Sequence, residues 1–199
     1  MNCNIHFIDL GLPSGTLWAD RNIGADSPEA FGDYFRFGET VPFTLDSPKY
    51  KSENFGKDIA NTIYDSAMIC LGVNFKIPSQ YQANELMDFC QWERKILGGN
   101  YVSEFIGPNG NKLYLPYAGC KDPDGIHFHE TNSCGIYWCS KSEFASCGYA
   151  SCFFFTEYSM DDGSHKCAGG LPVRPVKAII NKTLIFLPDG LNWNKEERI

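Results

Sequence analysis

The stretch FIDLGLPSGTLWADRNIGADSPEAFGDYFRFGETVP, residues 7–42, is dense in glycine, proline and aromatic residues and follows no simple helical or strand period. Residues 5–10 alternate weakly and run into Gly11-Leu12-Pro13-Ser14-Gly15, which predicts a strand followed by a tight turn. Thr16 to Ala19 reads as a second short strand. Ser27-Pro28-Glu29-Ala30 has a capping hydroxyl followed by proline in the first turn, so a helix of one or two turns is expected to end near Gly32. Asp33 to Gly38 is rich in aromatics and should fold back against the core.

Residues 43–66 are polar and aperiodic, an insertion-like loop with a helical turn expected near Asp58 to Asp65. Pro78-Ser79 then opens the clearest helix. Ser79 can cap it, and Ala83, Leu86, Met87 and Cys90 follow at helical spacing. From residue 100 the pattern is β. Tyr101 to Ile106 and Lys112 to Leu115 flank a turn carrying Asn-Gly, a hairpin signal. Further strands are expected at Gly135 to Ser140, Ala150 to Thr156 and Leu171 to Ala178, joined by long surface loops.

Residues 7–42, FKIPSQYQANELMDFCQW (75–92), GPNGNKLYLPYAG (107–119), Gly135 to Ser140 and Val173 to Val176 together resemble the Fibrobacter succinogenes major paralogous domain, a bacterial and phage module. The resemblance implies an α+β, C-type-lectin-like fold of small antiparallel sheets, two short helices and long loops. It would cover residues 5–178, with 179–199 as a C-terminal extension in which Thr183 to Leu187 forms an edge strand. It points to binding rather than catalysis.

In some members of that family the last segment is diversified by a retroelement that mutates template adenines. Codons ending in C then vary, and Lys, Glu, Gln, Met and Trp cannot arise. The resemblance puts scaffold residues at Ala150, Phe153, Phe155, Met160, Gly170 and Val173. Between them lie reachable outcomes at Cys134, Cys139, Phe144, Ser146, Cys147, Tyr149, Ser151, Cys152, Phe154, Tyr158, Asp161, Asp162, Ser164, His165, Cys167, Ala168 and Leu171. These are the candidate ligand-binding residues, over about 134–171. Random sampling of such codons would account for the local excess of thiols, whereas Lys141, Glu143, Glu157 and Lys166 would be fixed. Tyrosine and phenylalanine give rigid contact area, and serine and aspartate give adaptable polar contacts. Strand alternation turns Phe153 and Phe155 inward and Phe154 outward.

Composition narrows the function classes. A formal charge of −7 leaves no basic stripe to neutralise phosphates, so nucleic acid is not an expected partner. No apolar run is long enough to insert in a membrane as a helix. MNCNIHFIDL lacks the features of a signal peptide, so cytoplasmic synthesis with incorporation into a virion is the expectation. The expected partner is a protein or glycan on a target surface.

The nine cysteines are an odd number with no C-x-x-C, which speaks against a full disulfide framework or a zinc ribbon. His127-Phe128-His129-Glu130, with Asp122 and Asp124 nearby, offers metal-type donors, but hydrogen-bonded or exposed histidines are the simpler reading. Asp122-Pro123-Asp124-Gly125 lacks the remaining ligands of a calcium loop. Neither complete motif of the calcium-dependent sugar-binding lectins occurs; Asn192-Trp193-Asn194 is a partial echo in the tail. No metal or cofactor is expected. Two other readings compete. One is a structural or assembly module whose segment packs against another subunit of an oligomer. The other is an enzyme like the formylglycine-generating fold, though no cysteine pair matches that pattern and no Gly-x-Ser-x-Gly elbow is present.

Overall fold

Strand β1 (Phe7–Asp9) runs antiparallel to β2 (Leu17–Ala19) across a turn closed by the Gly15 amide on the Leu12 carbonyl at 2.9 Å. The computed structural model describes residues 5–125, 128–142 and 148–177. Among these the protein is an α+β arrangement of small antiparallel sheets with two helices. Strand β14 (Val176–Lys177) pairs with β2 at Val176↔Trp18 and with β4 (Phe75–Lys76) at Val176↔Lys76. The two ends of the described chain therefore meet in one sheet, beside the fully buried Trp18.

No helix forms at Ser27 to Gly32; the segment is a chain of turns. Ser27 O still accepts from the Ala30 amide at 3.2 Å, but three later carbonyls are taken by side chains from elsewhere in the chain. Pro28 O accepts from Arg174 at 3.4 Å, Glu29 O from Asn100 at 3.1 Å and Phe31 O from Asn22 at 2.9 Å. Gly32 has φ of 70°, and a Cβ there would collide with the Ile23 carbonyl. The helical turn expected over Asp58 to Asp65 also sits later in the chain. Helix α1 is Ser66–Leu71, and its cap Asp65 is fully buried. The Asp65 carboxylate accepts from the amides of Asn61 (2.8 Å), Ala67 (3.0 Å), Met68 (3.2 Å) and Ile77 (3.1 Å). One side chain thus orders the loop, the helix start and the entry to α2. Burial raises the pKa of Asp65, and these hydrogen bonds oppose the rise.

Helix α2 (Gln80–Phe89) begins as the sequence predicts, with Ser79 and Gln82 forming a reciprocal capping box. It is followed by β5 (Gln91–Leu97), a strand the sequence reading did not anticipate because Glu93, Arg94 and Lys95 interrupt its apolar pattern. Strands β5, β6 (Asn100–Ile106) and β7 (Lys112–Pro116) form a meander whose β6–β7 hairpin was legible in the sequence. Its turn docks on β1, as Asn109 and Asn111 both donate to the Asp9 carbonyl, at 2.9 and 2.8 Å. In the middle of β6 the buried Glu104 accepts from Lys112 (3.1 Å), Tyr114 (2.9 Å) and Lys95 (2.5 Å).

Small two-stranded pairings complete the frame. Strand β3 (Tyr34–Phe35) pairs with β13 (Leu171–Pro172), and β8 (Cys120–Lys121) pairs with β9 (Phe128–His129). The central sheet is β10 (Gly135–Trp138), β11 (Tyr149–Phe155) and β12 (Met160–Lys166), in that order. It separates two cores. Ile136, Trp138, Ala150 and Cys152 pack with Phe35, Phe37 and Ile59 on one side. Tyr137, Phe153 and Phe155 pack with Trp18, Leu86, Phe105 and Leu115 on the other. A strand covered on both faces has no need to alternate, which is why β11 reads as a near-continuous apolar run.

Residues 178–199, including the expected edge strand at Thr183 to Leu187 and Asn192-Trp193-Asn194, lie outside the described residues.

Candidate ligand-binding face

The sheet divides the candidate residues by depth. Cys134, Cys139, Ser151, Cys152, Cys167 and Leu171 are all buried, so they are not contact residues of a surface. Leu171 is fixed by its pairing with Phe35, and Cys152 faces the first core from the middle of β11. The thiol excess is therefore mostly interior. Phe144, Ser146 and Cys147 lie outside the described residues.

The remaining candidates are exposed or half-buried, and most cluster around β12. This strand is the outer member of its sheet among the described residues, and nearly all of it is exposed. Register with β11 puts Asp161, Gly163 and His165 on one side of it and Asp162, Ser164 and Lys166 on the other. Tyr158 projects from the β11–β12 turn with 88% of its surface exposed. That turn is held by the Thr156 hydroxyl, which accepts from the amides of Tyr158 (3.2 Å) and Ser159 (3.1 Å). Tyr149 marks the other end of the hairpin, at 40% exposure.

Phe154 corrects the expectation that it would face outward. It is half-buried, leaning on the first core, and its ring sits 3.2 Å from where a Cβ on Gly163 would be. His165 is half-buried against Trp138, with ring centroids 5.8 Å apart. Burial lowers its pKa, so the imidazole is neutral at pH 7. Ala168 stands apart, in a separate hollow of about 290 Å³ with Tyr50, Phe43 and Asp124.

Sequence reasoning missed Asn84. It reaches from α2 and donates to the Asp162 carboxylate at 3.3 Å, tying the helix to the exposed strand. It also accepts from Gln80 at 3.0 Å, an i, i+4 pair that the sequence contained but did not connect to β12. Asp161 and Asp162 make this end of the sheet acidic, while Glu157 beside them is paired with Arg94 at 3.0 Å.

The described cysteines are free thiols. Burial pushes Cys134 and Cys152 up to about 12, and Cys90, Cys120 and Cys167 up to about 11, the opposite of what a reactive thiolate requires. His129 Nε2 lies 2.7 Å from Asp122 Oδ2, and the Asp122 to Gly125 segment is a turn closed at 2.9 Å. His127 is outside the described residues, and no three metal-type ligands converge among those described. Comparison with family models, curated proteins and solved structures finds no match for this chain.

Proposed function

We propose that this chain is a non-catalytic, C-type-lectin-like binding module. Its binding surface wraps the exposed strand β12, with Phe154, Asp161 and His165 on one side of the sheet, Tyr149, Asp162 and Ser164 on the other, and Tyr158 at the turn. The observation that carries this reading is the contrast between β11 and β12. The former is covered on both faces from Ala150 to Phe155, and the latter hangs from it by seven register pairs with Asp161 to Ser164 and Lys166 in solvent. Such a strand can change its exposed side chains without disturbing either core, while His165 stays packed on Trp138. Two tyrosines, serine, aspartates and an uncharged imidazole are the chemistry of an adaptable paratope.

The ligand is a protein or glycan displayed on a target surface, and the acidic strip favours partners offering ammonium, guanidinium or hydroxyl groups. All seven residues are reachable from a diversified codon ending in C, whereas their neighbours Glu157 and Lys166 are not. We therefore place the module in a retroelement-diversified, phage receptor-binding setting. The buried thiols belong to the scaffold in this account.

The test is binding of the labelled full chain to a panel of immobilised glycans and intact bacterial cells, beside Y149S/Y158S/D161N/D162N. Retained folding with lost binding supports the proposal. Equal binding by both proteins, or none by either, contradicts it.

A further inference from the structure

The insertion-like loop that follows β3 walls a hollow of about 540 Å³, within the size range of binding pockets. The loop is anchored at three points. Pro48 O accepts from the buried Arg36 guanidinium at 2.8 Å, and the Tyr50 hydroxyl donates to the Phe37 carbonyl at 2.9 Å. Phe55 is buried edge-on against Phe37 and Tyr64, with ring centroids 5.7 and 5.0 Å apart. Gly38 makes room for that ring, since a Cβ there would collide with it. Along the loop the side chains alternate. Ser47, Lys49, Lys51, Glu53 and Phe55 line the hollow, as every second residue of an extended segment does, while Tyr50 is turned to the first core.

Two features of the lining ask for a partner. The first is apolar. Val41 and Ile63 line the hollow with 71% and 72% of their surface exposed, grouped with Phe55 and Tyr64 rather than scattered, an arrangement that marks an interaction site. The second is charge. Arg36 and Glu39 also line the hollow, but they pair with each other at 2.7 Å. Lys49 and Lys51 are both exposed and, among the described residues, make no ion pair. Two cations and one anion, Glu53, therefore remain, a positive surplus in a chain of formal charge −7.

We infer that this hollow docks a short acidic, aliphatic segment of a partner protein. One leucine-like side chain seats on Phe55 between Val41 and Ile63, and flanking carboxylates reach Lys49 and Lys51. The two lysines stand two residues apart on extended chain, about 7 Å, a spacing matched by carboxylates on either side of one central residue. Exposed aliphatic rims suit the side chains of a peptide, whereas a lone acyl chain needs an enclosed tunnel. The hollow shares no lining residue with the β12 face, and the inference does not rest on the function proposed for that face.

The test is a titration of the ¹⁵N-labelled full chain at low salt with acetyl-Glu-Leu-Glu-amide, acetyl-Gln-Leu-Gln-amide and acetyl-Glu-Ala-Glu-amide, followed by amide shifts. The Glu-Leu-Glu peptide is expected to move the amides of Val41, Lys51 and Ile63. It should bind at least about fivefold more tightly than Gln-Leu-Gln, the factor two exposed ion pairs supply. It should bind about tenfold more tightly than Glu-Ala-Glu, because the larger side chain buries more apolar surface. K49Q/K51Q should remove the first advantage and V41S/I63S the second. Both variants should keep the parent melting temperature, since all four side chains are exposed. Three results overturn the inference: no shifts at these residues, equal binding of Gln-Leu-Gln, or equal binding of Glu-Ala-Glu. Concentration-dependent shifts of the same amides without peptide would also overturn it, by assigning the hollow to a second copy of this chain.

Discussion

Phe153 and Phe154 are adjacent on β11 yet belong to different cores, Phe153 fully buried beside Trp18 and Phe154 half-buried beside Trp138 and its neighbours. This division predicts unequal costs for the same truncation. Phe153→Ala should cost about 3–5 kcal/mol, and Phe154→Ala about half as much because its ring is only partly buried on the first core. Urea denaturation of the two variants measures the difference. Equal costs would mean that β11 is not covered as described.

Glu104 predicts a pH signature. Burial raises its pKa, but hydrogen bonds from Lys95, Lys112 and Tyr114 outweigh that and hold it at about 2, below the usual 4.5. A lowered folded pKa means stability that is fully present above about 4.5 and is lost as pH falls towards 2. Glu104→Gln should therefore cost about 2 kcal/mol at pH 7 and progressively less below pH 4.5. Denaturation midpoints of both proteins between pH 2 and pH 7 would read this out; parallel curves would contradict it.

Arg174 anchors the turn chain that replaces the expected helix. Its buried guanidinium donates to Asn22 Oδ1 at 2.8 Å, to Ala19 O at 3.1 Å and to Pro28 O at 3.4 Å. Burial lowers its pKa to about 10, which still leaves it charged at neutral pH. Arg174→Lys keeps a cation but loses the planar fork, and should cost about 2–3 kcal/mol. Asn22→Ala removes that acceptor and the donor to Phe31 O but leaves the guanidinium bonded to Ala19 and Pro28, so it should be milder. Thermal unfolding checks the order.

Thiol accessibility gives a chemical check of the cores. Cys70 is the exposed thiol among the described residues, while the others are buried. In a C3S/C147S background, a disulfide reagent should modify one thiol rapidly in the native state and the remainder only on unfolding. Adding C70S should abolish the fast phase. Rapid reaction of Cys134 or Cys152 would show that they belong to the surface.

Much of the frame was legible in the sequence because local chemistry carried it. Ser79 and Gln82 cap α2, and Asn109-Gly110 turns β6 into β7, signals that lie within a few residues even though both also bond distant groups. The failures are non-local. Ser27-Pro28 has the grammar of a helix start, but Arg174 and Asn100, from 71 to 146 positions away, take its carbonyls. Strand β12 escaped notice because Met-Asp-Asp-Gly-Ser-His-Lys has little strand character alone; its partner β11 makes it a strand. The candidate face was half legible. The resemblance singled out residues 134–171, but it carried no depth, and so it mixed interior cysteines with exposed tyrosine and aspartate.

The central claim is an exchangeable binding face on a fixed double core. The most direct measurement is a displayed library of the full chain, with codons ending in C at Tyr149, Tyr158, Asp161, Asp162 and Ser164. Members are sorted first for protease resistance and then for binding to different bacterial cell types. The account predicts that most members stay folded and that different targets select different residues at these positions. A library in which most members unfold, or from which no target selects a binder, would contradict it.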